Sequence, residues 1–125
     1  EHSDFNFERL TRLLLDNNEY IYPAFASHNI RSLSYACCYA EHKGLGPADF
    51  ELQLLYGMAE PIADSFVAAG FLVRHYVPIG ELIPGMGYLI RRLLENTSND
   101  SFLRHTFFEK DEISSLLRKP HFNTQ

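Results

Sequence analysis

The chain has 125 residues, of which 46% are hydrophobic and 14% aromatic, and a formal charge of −5. That length suits at most one domain with one core, and it falls short of the roughly 200 residues that a complete eight-fold α/β barrel needs. The acidic balance argues against a nucleic-acid-binding surface, and no apolar run approaches the ~20 residues of a membrane-spanning helix.

The opening Glu1-His-Ser-Asp-Phe-Asn-Phe-Glu8 is polar, without an initiator Met or a signal-peptide pattern, as expected of a fragment or a processed chain. Phe7, Leu10, Leu13 and Leu14 form an apolar stripe that predicts a first helix over 5–17, capped by Ser3 or Asp4 and ending at Asn17 and Asn18. Ile21–Ala26 (IYPAFA) reads as a short buried strand, with Pro23 at its start because proline cannot donate to a central ladder. Ser27-His28-Asn29 ends that strand, and a helix follows over Ile30–His42. Its packing stripe is Ile30, Leu33, Ala36, Cys37 and Ala40, and Gly44 terminates it. Cys37 and Cys38 are the only cysteines and are adjacent. They form neither a C-x-x-C motif nor a disulfide framework, so both are expected to pack as small buried residues in a reducing compartment.

Phe50–Tyr56 (FELQLLY) predicts a second strand, with Glu51, Gln53 and Leu55 alternating onto one face. After the turn Gly57-Met58-Ala59, Pro61 sits just inside a helix whose inward residues are Ile62, Phe66 and Val67 and whose end is Gly70. Phe71–Val77 is a third strand, with Tyr76 near its end, and 83–96 a helix broken by Asn96-Thr97-Ser98-Asn99. Residues 100–108 continue as a short helix, Glu109–Arg118 as an amphipathic one with Ile113, Leu116 and Leu117 inward, and Pro120–Gln125 as a frayed tail or linker. Strands alternating with helices imply parallel pairing through right-handed crossovers. Three strands alone leave two bare sheet edges, which points to part of a larger α/β domain.

Within the fourth helix, Tyr88, Arg91, Arg92 and Glu95 fall at i, i+3, i+4 and i+7 and share one face, with Leu89, Ile90, Leu93 and Leu94 opposite, free to pack. One reading is a surface helix with ordinary Arg–Glu pairs, weakened because arginine precedes glutamate. The other is recognition of a carboxylate by adjacent guanidiniums. Ser27-His28-Asn29 has two readings as well. Asn29 is a good N-cap, and no histidine is spaced with His28 as zinc ligands are, so no metal site is expected.

The run Tyr88-Leu-Ile-Arg-Arg-Leu-Leu-Glu-Asn96, preceded by Tyr76-Val-Pro-Ile-Gly80, resembles the last strand and helix of the proline dehydrogenase family. The likeness includes the double arginine, both tyrosines and the Glu-Asn pair, and it covers almost the whole chain, weakening after about Arg104. It implies an α/β fold: the C-terminal part, about three strands and four or more helices, of a (β/α)8 TIM-like barrel that is incomplete alone. Residues 1–106 would be the barrel segment and 107–125 a C-terminal helix and tail or linker.

The resemblance further implies FAD-dependent oxidation of L-proline to 1-pyrroline-5-carboxylate, with hydride passing from C5 of the ring to the flavin N5. It assigns Ser27, His28, Asn29, Gln53, Arg92 and Glu95 to FAD, Ser27 keeping the hydroxyl of a threonine common there. It assigns Arg91 and Arg92 to the substrate carboxylate, and Tyr76, Tyr88 and Leu55 to the proline ring. No residue of the chain is expected to be the catalytic base, and the family's lysine, acidic residue and flavin-side basic residues belong to earlier strands. The chain is therefore expected to need the rest of the barrel for activity. The spelling ENTSN before SFLR resembles the bifunctional bacterial proline utilization A proteins, which carry a glutamate-semialdehyde dehydrogenase domain. A quinone or other electron acceptor and a cytoplasmic, peripherally membrane-associated location follow from the same likeness. The competing reading is a non-enzymatic α/β interaction module or an inactive fragment, whose arginine face is solvated or meets a partner's carboxylates.

Overall fold

The computed structural model describes residues 2–98. They form α1 (His2–Asp16), β1 (Ala24–Ala26), α2 (Ile30–His42), β2 (Glu51–Leu55), α3 (Glu60–Ala68), β3 (Val73–Tyr76) and α4 (Leu82–Ser98). The sheet has the order β1-β2-β3 and is parallel throughout, with Ala26 opposite Gln53, Gln53 opposite Arg74, and Leu55 opposite Tyr76. The alternation of strands and helices is thus a mixed α/β arrangement around a three-stranded parallel sheet.

One core holds it together. Phe25, Phe50, Leu52 and Leu54 point from one sheet face into a cluster with Leu33, Ala36, Cys37 and Ala40 of α2 and Ile62, Ala63 and Phe66 of α3. Phe25 and Phe50 meet edge-on with centroids 5.9 Å apart, and Phe66 and Phe71 meet likewise at 6.2 Å. Burial pushes the Cys37 thiol up to about 12, which keeps it a packing group and not a nucleophile. The opposite sheet face carries Ala24, Ala26, Gln53, Leu55, Arg74 and Tyr76, all exposed or half-buried. Glu51 belongs to that face and is nevertheless buried, because Arg74 covers it. Arg74 donates from Nε to Glu51 Oε1 at 2.8 Å and from Nη2 to Oε2 at 2.7 Å, while Gln53 Nε2 donates to Oε1 at 2.7 Å. The Arg74 bonds, then the Gln53 bond, hold the Glu51 carboxyl below its usual range.

Two helices end in the same way. Gly44, at φ 75°, lets the Leu45 N–H reach the Ala40 carbonyl (2.9 Å) and its own N–H reach Glu41 (3.0 Å). Gly70, at φ 92°, does the same for Phe71 to Phe66 (3.0 Å) and for itself to Val67 (2.9 Å). Glycine takes this left-handed conformation without the Cβ penalty, and the residue after it drops onto the core. Leu45 and Phe71 both pack there.

Several sequence expectations shift. α1 begins at His2 and its inward face is rotated from the expected stripe: Phe7 and Leu14 pack beside the core as expected, Glu8, Thr11 and Leu15 are buried, and Leu10 and Leu13 are 55% and 58% exposed. The apolar stripe misleads because α1 lies against the polar start of α2. There Glu8 pairs with Arg31 at 2.9 Å, and Asn29 Nδ2 donates to Asp4 Oδ1 at 3.4 Å. β1 starts at Ala24, one residue after Pro23; Ile21 and Tyr22 of the expected run are exposed, and the buried Pro23 accepts the Glu51 N–H through its carbonyl at 3.0 Å. Cys38 is exposed, since helical geometry turns it about 100° from Cys37, and Val67 is exposed for the same reason beside Phe66. α4 runs on through Ser98, so Asn96-Thr97-Ser98 does not break it. Its apolar residues Leu82, Ile83, Met86, Leu89, Ile90 and Leu94 are exposed, although Leu89, Ile90 and Leu94 were expected to be free to pack. The expected helices over 100–108 and Glu109–Arg118, the tail, and the boundary at 106/107 lie outside the described residues.

The corrected α1 face has a measurable consequence. Leu15→Ala, at a fully buried site, is expected to cost about 2–5 kcal/mol by urea unfolding, and Leu10→Ala less than about 0.5 kcal/mol.

Candidate functional site

Parallel pairing sets the C-terminal ends of β1, β2 and β3 side by side, so the segments that follow each strand meet at one rim. The β1–α2 turn is Ser27-His28-Asn29. Asn29 is the α2 N-cap, its Oδ1 accepting from Arg31 N–H at 3.0 Å, and Ser27 Oγ accepts from Asn29 N–H at 3.0 Å. The capping expectation for Asn29 holds, and both side chains are already engaged in shaping the turn. His28 reaches across to the next strand, where its Nε2 accepts the Leu55 N–H at 3.1 Å. A nitrogen that accepts carries no proton, so the ring is neutral with its hydrogen on Nδ1. Burial lowers the His28 pKa from its ordinary 6.5, which favours that state.

Leu55 ends β2 opposite Tyr76, which ends β3. The Tyr76 ring lies 5.6 Å from the Tyr88 ring at a tilt of 45°. The Arg92 guanidinium carbon sits 5.5 Å from the centre of the Tyr88 ring, within cation–π range. A continuous line therefore runs His28–Leu55–Tyr76–Tyr88–Arg92 along the rim. Sequence spacing anticipated the Tyr88–Arg92 neighbourhood on one helical face, and the tyrosine pair ties that face to the strand end. Gln53 lies two residues before Leu55 on the same uncovered sheet face, tied by its Nε2 to Glu51. Arg91 is exposed on α4 beside Arg92. Glu95 falls within α4, its side chain lying outside those described.

The Glu51–Arg74 pair was only partly legible. Pairing of Glu51 with a neighbouring strand was foreseeable from a carboxylate in an apolar strand; the identity of Arg74 required the register. Chemically, the rim offers an imidazole N–H, a hydroxyl and two amides at one end. At the other end it offers the Arg92 guanidinium beside the phenol rings, with Arg91 exposed on the same helix. That set suits a ligand with polar groups at the β1–β2 side and a carboxylate at the α4 side. The donors at the β1–β2 side lie next to the N-terminus of α2, whose potential favours anionic groups. They fit a flavin dinucleotide in kind. Among the described residues, no group of three or more metal-ligating side chains occurs, and no helix is long and apolar enough to cross a membrane.

Comparison with known proteins identifies the family. The family model for proline dehydrogenase matches residues 1–105. The chain is 36% identical over 125 residues to the bifunctional protein PutA of Escherichia coli (strain K12), covering 95% of this chain and 9% of that protein. It is 35% identical over 99 residues to proline dehydrogenase 2 of Bacillus subtilis (strain 168), covering 79% of this chain and 31% of that one. The crystal structure of proline utilization A from Bdellovibrio bacteriovorus inactivated by N-propargylglycine superposes with a TM-score of 0.86 at 51% identity, over 93% of this chain and 12% of that one. The chain belongs to the proline dehydrogenase family, and it spans about a tenth to a third of the length of these relatives.

The His28 bond gives a pH dependence whose sign is fixed. The unfolded chain binds a proton at the ordinary value of 6.5 and the folded chain only at lower pH, so stability from neutral His28 is present above pH 6.5 and declines as pH falls below it. Between about pH 7 and 5, the native chain is expected to lose more stability to urea than His28→Gln, which has no proton to gain. Equal losses would contradict the neutral, accepting imidazole.

Proposed function

We propose, from that membership, that the chain is the C-terminal part of a (β/α)8 barrel that oxidises L-proline to 1-pyrroline-5-carboxylate with FAD. Residues 1–106 are the barrel segment, and 107–125 follow it. The observation that carries the reading is the line His28–Leu55–Tyr76–Tyr88–Arg92, at the strand end where barrels of this kind hold their chemistry. The uncovered sheet face supports the barrel: Gln53, Leu55, Arg74 and Tyr76 stand where further strands would enclose them.

Proline presents a carboxylate, a secondary amine and a small apolar ring. Arg91 and Arg92 hold the carboxylate. The Arg92 guanidinium lies within cation–π range of the Tyr88 ring, and its planar fork suits a carboxylate. Tyr76 and Tyr88 enclose the ring, and Leu55 is its apolar wall, which also keeps water from the reacting carbon. Ser27, His28, Asn29 and Gln53 contact FAD on the β1–β2 side, with Arg92 approaching it from α4; the family likeness assigns Glu95 to FAD as well. When bound, FAD supplies the hydride acceptor, as cofactors do for chemistry that side chains cannot perform. This chain binds and orients, and we assign it no catalytic residue. The remaining strands are its necessary partners. A quinone or other acceptor reoxidises the flavin at a peripheral membrane location from the cytoplasm, and a glutamate-semialdehyde dehydrogenase domain follows if the parent is bifunctional.

A flavin spectrum tests this. With proline added, the oxidised flavin band is expected to bleach in the chain extended upstream to a whole barrel and to stay unchanged in the 125-residue chain. A folded whole barrel that binds no flavin would contradict the reading. In the same barrel, Arg92→Ala is expected to raise the proline KM by roughly 30- to 150-fold, about 2–3 kcal/mol of charge-assisted bonding. An unchanged KM would remove Arg92 from the substrate site.

A further inference from the structure

The β1–β2 ladder begins with Glu51 N–H donating to the Pro23 carbonyl at 3.0 Å. Donors in a parallel ladder recur every second residue, so continuing the pattern would give the Leu55 N–H to the Ser27 carbonyl. β1 stops at Ala26, and the Leu55 N–H goes instead to His28 Nε2 at 3.1 Å. The imidazole occupies the place of the missing rung.

The turn that carries the ring is braced on both sides. Ser27 Oγ accepts the Asn29 N–H at 3.0 Å, Asn29 Oδ1 accepts the Arg31 N–H at 3.0 Å, and Asn29 Nδ2 reaches Asp4 of α1 at 3.4 Å. Arg31 is in turn held by buried Glu8 at 2.9 Å. A ring fixed at its backbone on both sides and bonded at Nε2 has one position and one tautomer.

We propose that His28 is a positioning residue for the proline site: its Nε2 completes the β1–β2 ladder at Leu55, holding the apolar wall in place, and the same bond keeps the imidazole proton on Nδ1 as a donor of fixed identity. This rests on the assignment of Leu55 to the substrate ring. A wall held through its backbone keeps its place whatever the side chain touches, so proline meets a pocket already formed. An alanine at position 28 would leave the Leu55 N–H without its acceptor and let the strand end relax.

Two measurements on the whole flavin-loaded barrel decide it. The first is the imidazole nitrogen spectrum of 15N-histidine protein near neutral pH, before proline is added, with His28→Gln used to assign the signals. A single neutral ring protonated at Nδ1 is the expected result; an Nε2-protonated, mixed or charged ring overturns the proposal. The second is turnover by His28→Ala and His28→Gln. The alanine variant is expected to raise the proline KM about tenfold, with a smaller effect on kcat, as loss of one buried hydrogen bond does. The glutamine variant, whose side-chain carbonyl reaches the same N–H, is expected to recover most of that loss. Glutamine behaving like alanine overturns the proposal. If the alanine variant fails to fold, the nitrogen spectrum still decides, and if the native barrel does not oxidise proline, the functional reading fails while the spectrum judges the ladder bond separately.

Discussion

Parallel pairing of β2 with both of its neighbours is the constraint on which this structure depends. Parallel strands cannot be joined by a tight turn, so each pair requires a helical crossover. Here α2 and α3 provide the crossovers and also cover one face of the sheet, where Phe25, Leu52 and Leu54 meet Leu33, Ala36 and Phe66. The same pairing sends every strand's C-terminal end to one edge. Residues far apart in the chain, such as His28, Leu55 and Tyr76, become neighbours as a consequence.

The two sheet faces show what the pairing leaves undone. One is closed by helices and stripped of water. On the other, a buried carboxylate survives only because Arg74 grips Glu51 with two parallel bonds and Gln53 adds a third. Removing water from a carboxylate is costly unless its lone pairs are satisfied, which is why that one stretch of the open face is so fully bonded. Leu82, Ile83, Met86, Leu89, Ile90 and Leu94 of α4 are exposed as well, and so is Tyr76. In the proposed barrel, further elements would cover these surfaces.

Much of this was legible in the sequence, for definite reasons. The α2 stripe, its Asn29 cap and its Gly44 terminus were readable because propensity, pattern and cap chemistry agree there. The parallel sense of the sheet followed from the alternation of strands and helices. The α1 face was misread because its partner is polar: Glu8 and Thr11 are buried where hydrophobic periodicity nominated Leu10 and Leu13. The run read as β1 extended too far back because exposed Ile21 and Tyr22 look like strand residues. At the site, Tyr88 and Arg92 could be grouped from helical spacing, and family likeness attached roles to them. The bond from His28 to Leu55 had no sequence signal, since it depends on β1 ending one rung short of its partner.

The central claim is that the rim from Leu55 to Arg92 forms the proline pocket. A structure of the whole barrel with a non-oxidisable proline analogue tests it most directly. The account predicts the analogue's carboxylate within hydrogen-bonding distance of the Arg92 guanidinium and its ring against Leu55, Tyr76 and Tyr88. A carboxylate held elsewhere, with Arg92 turned to solvent, would contradict it.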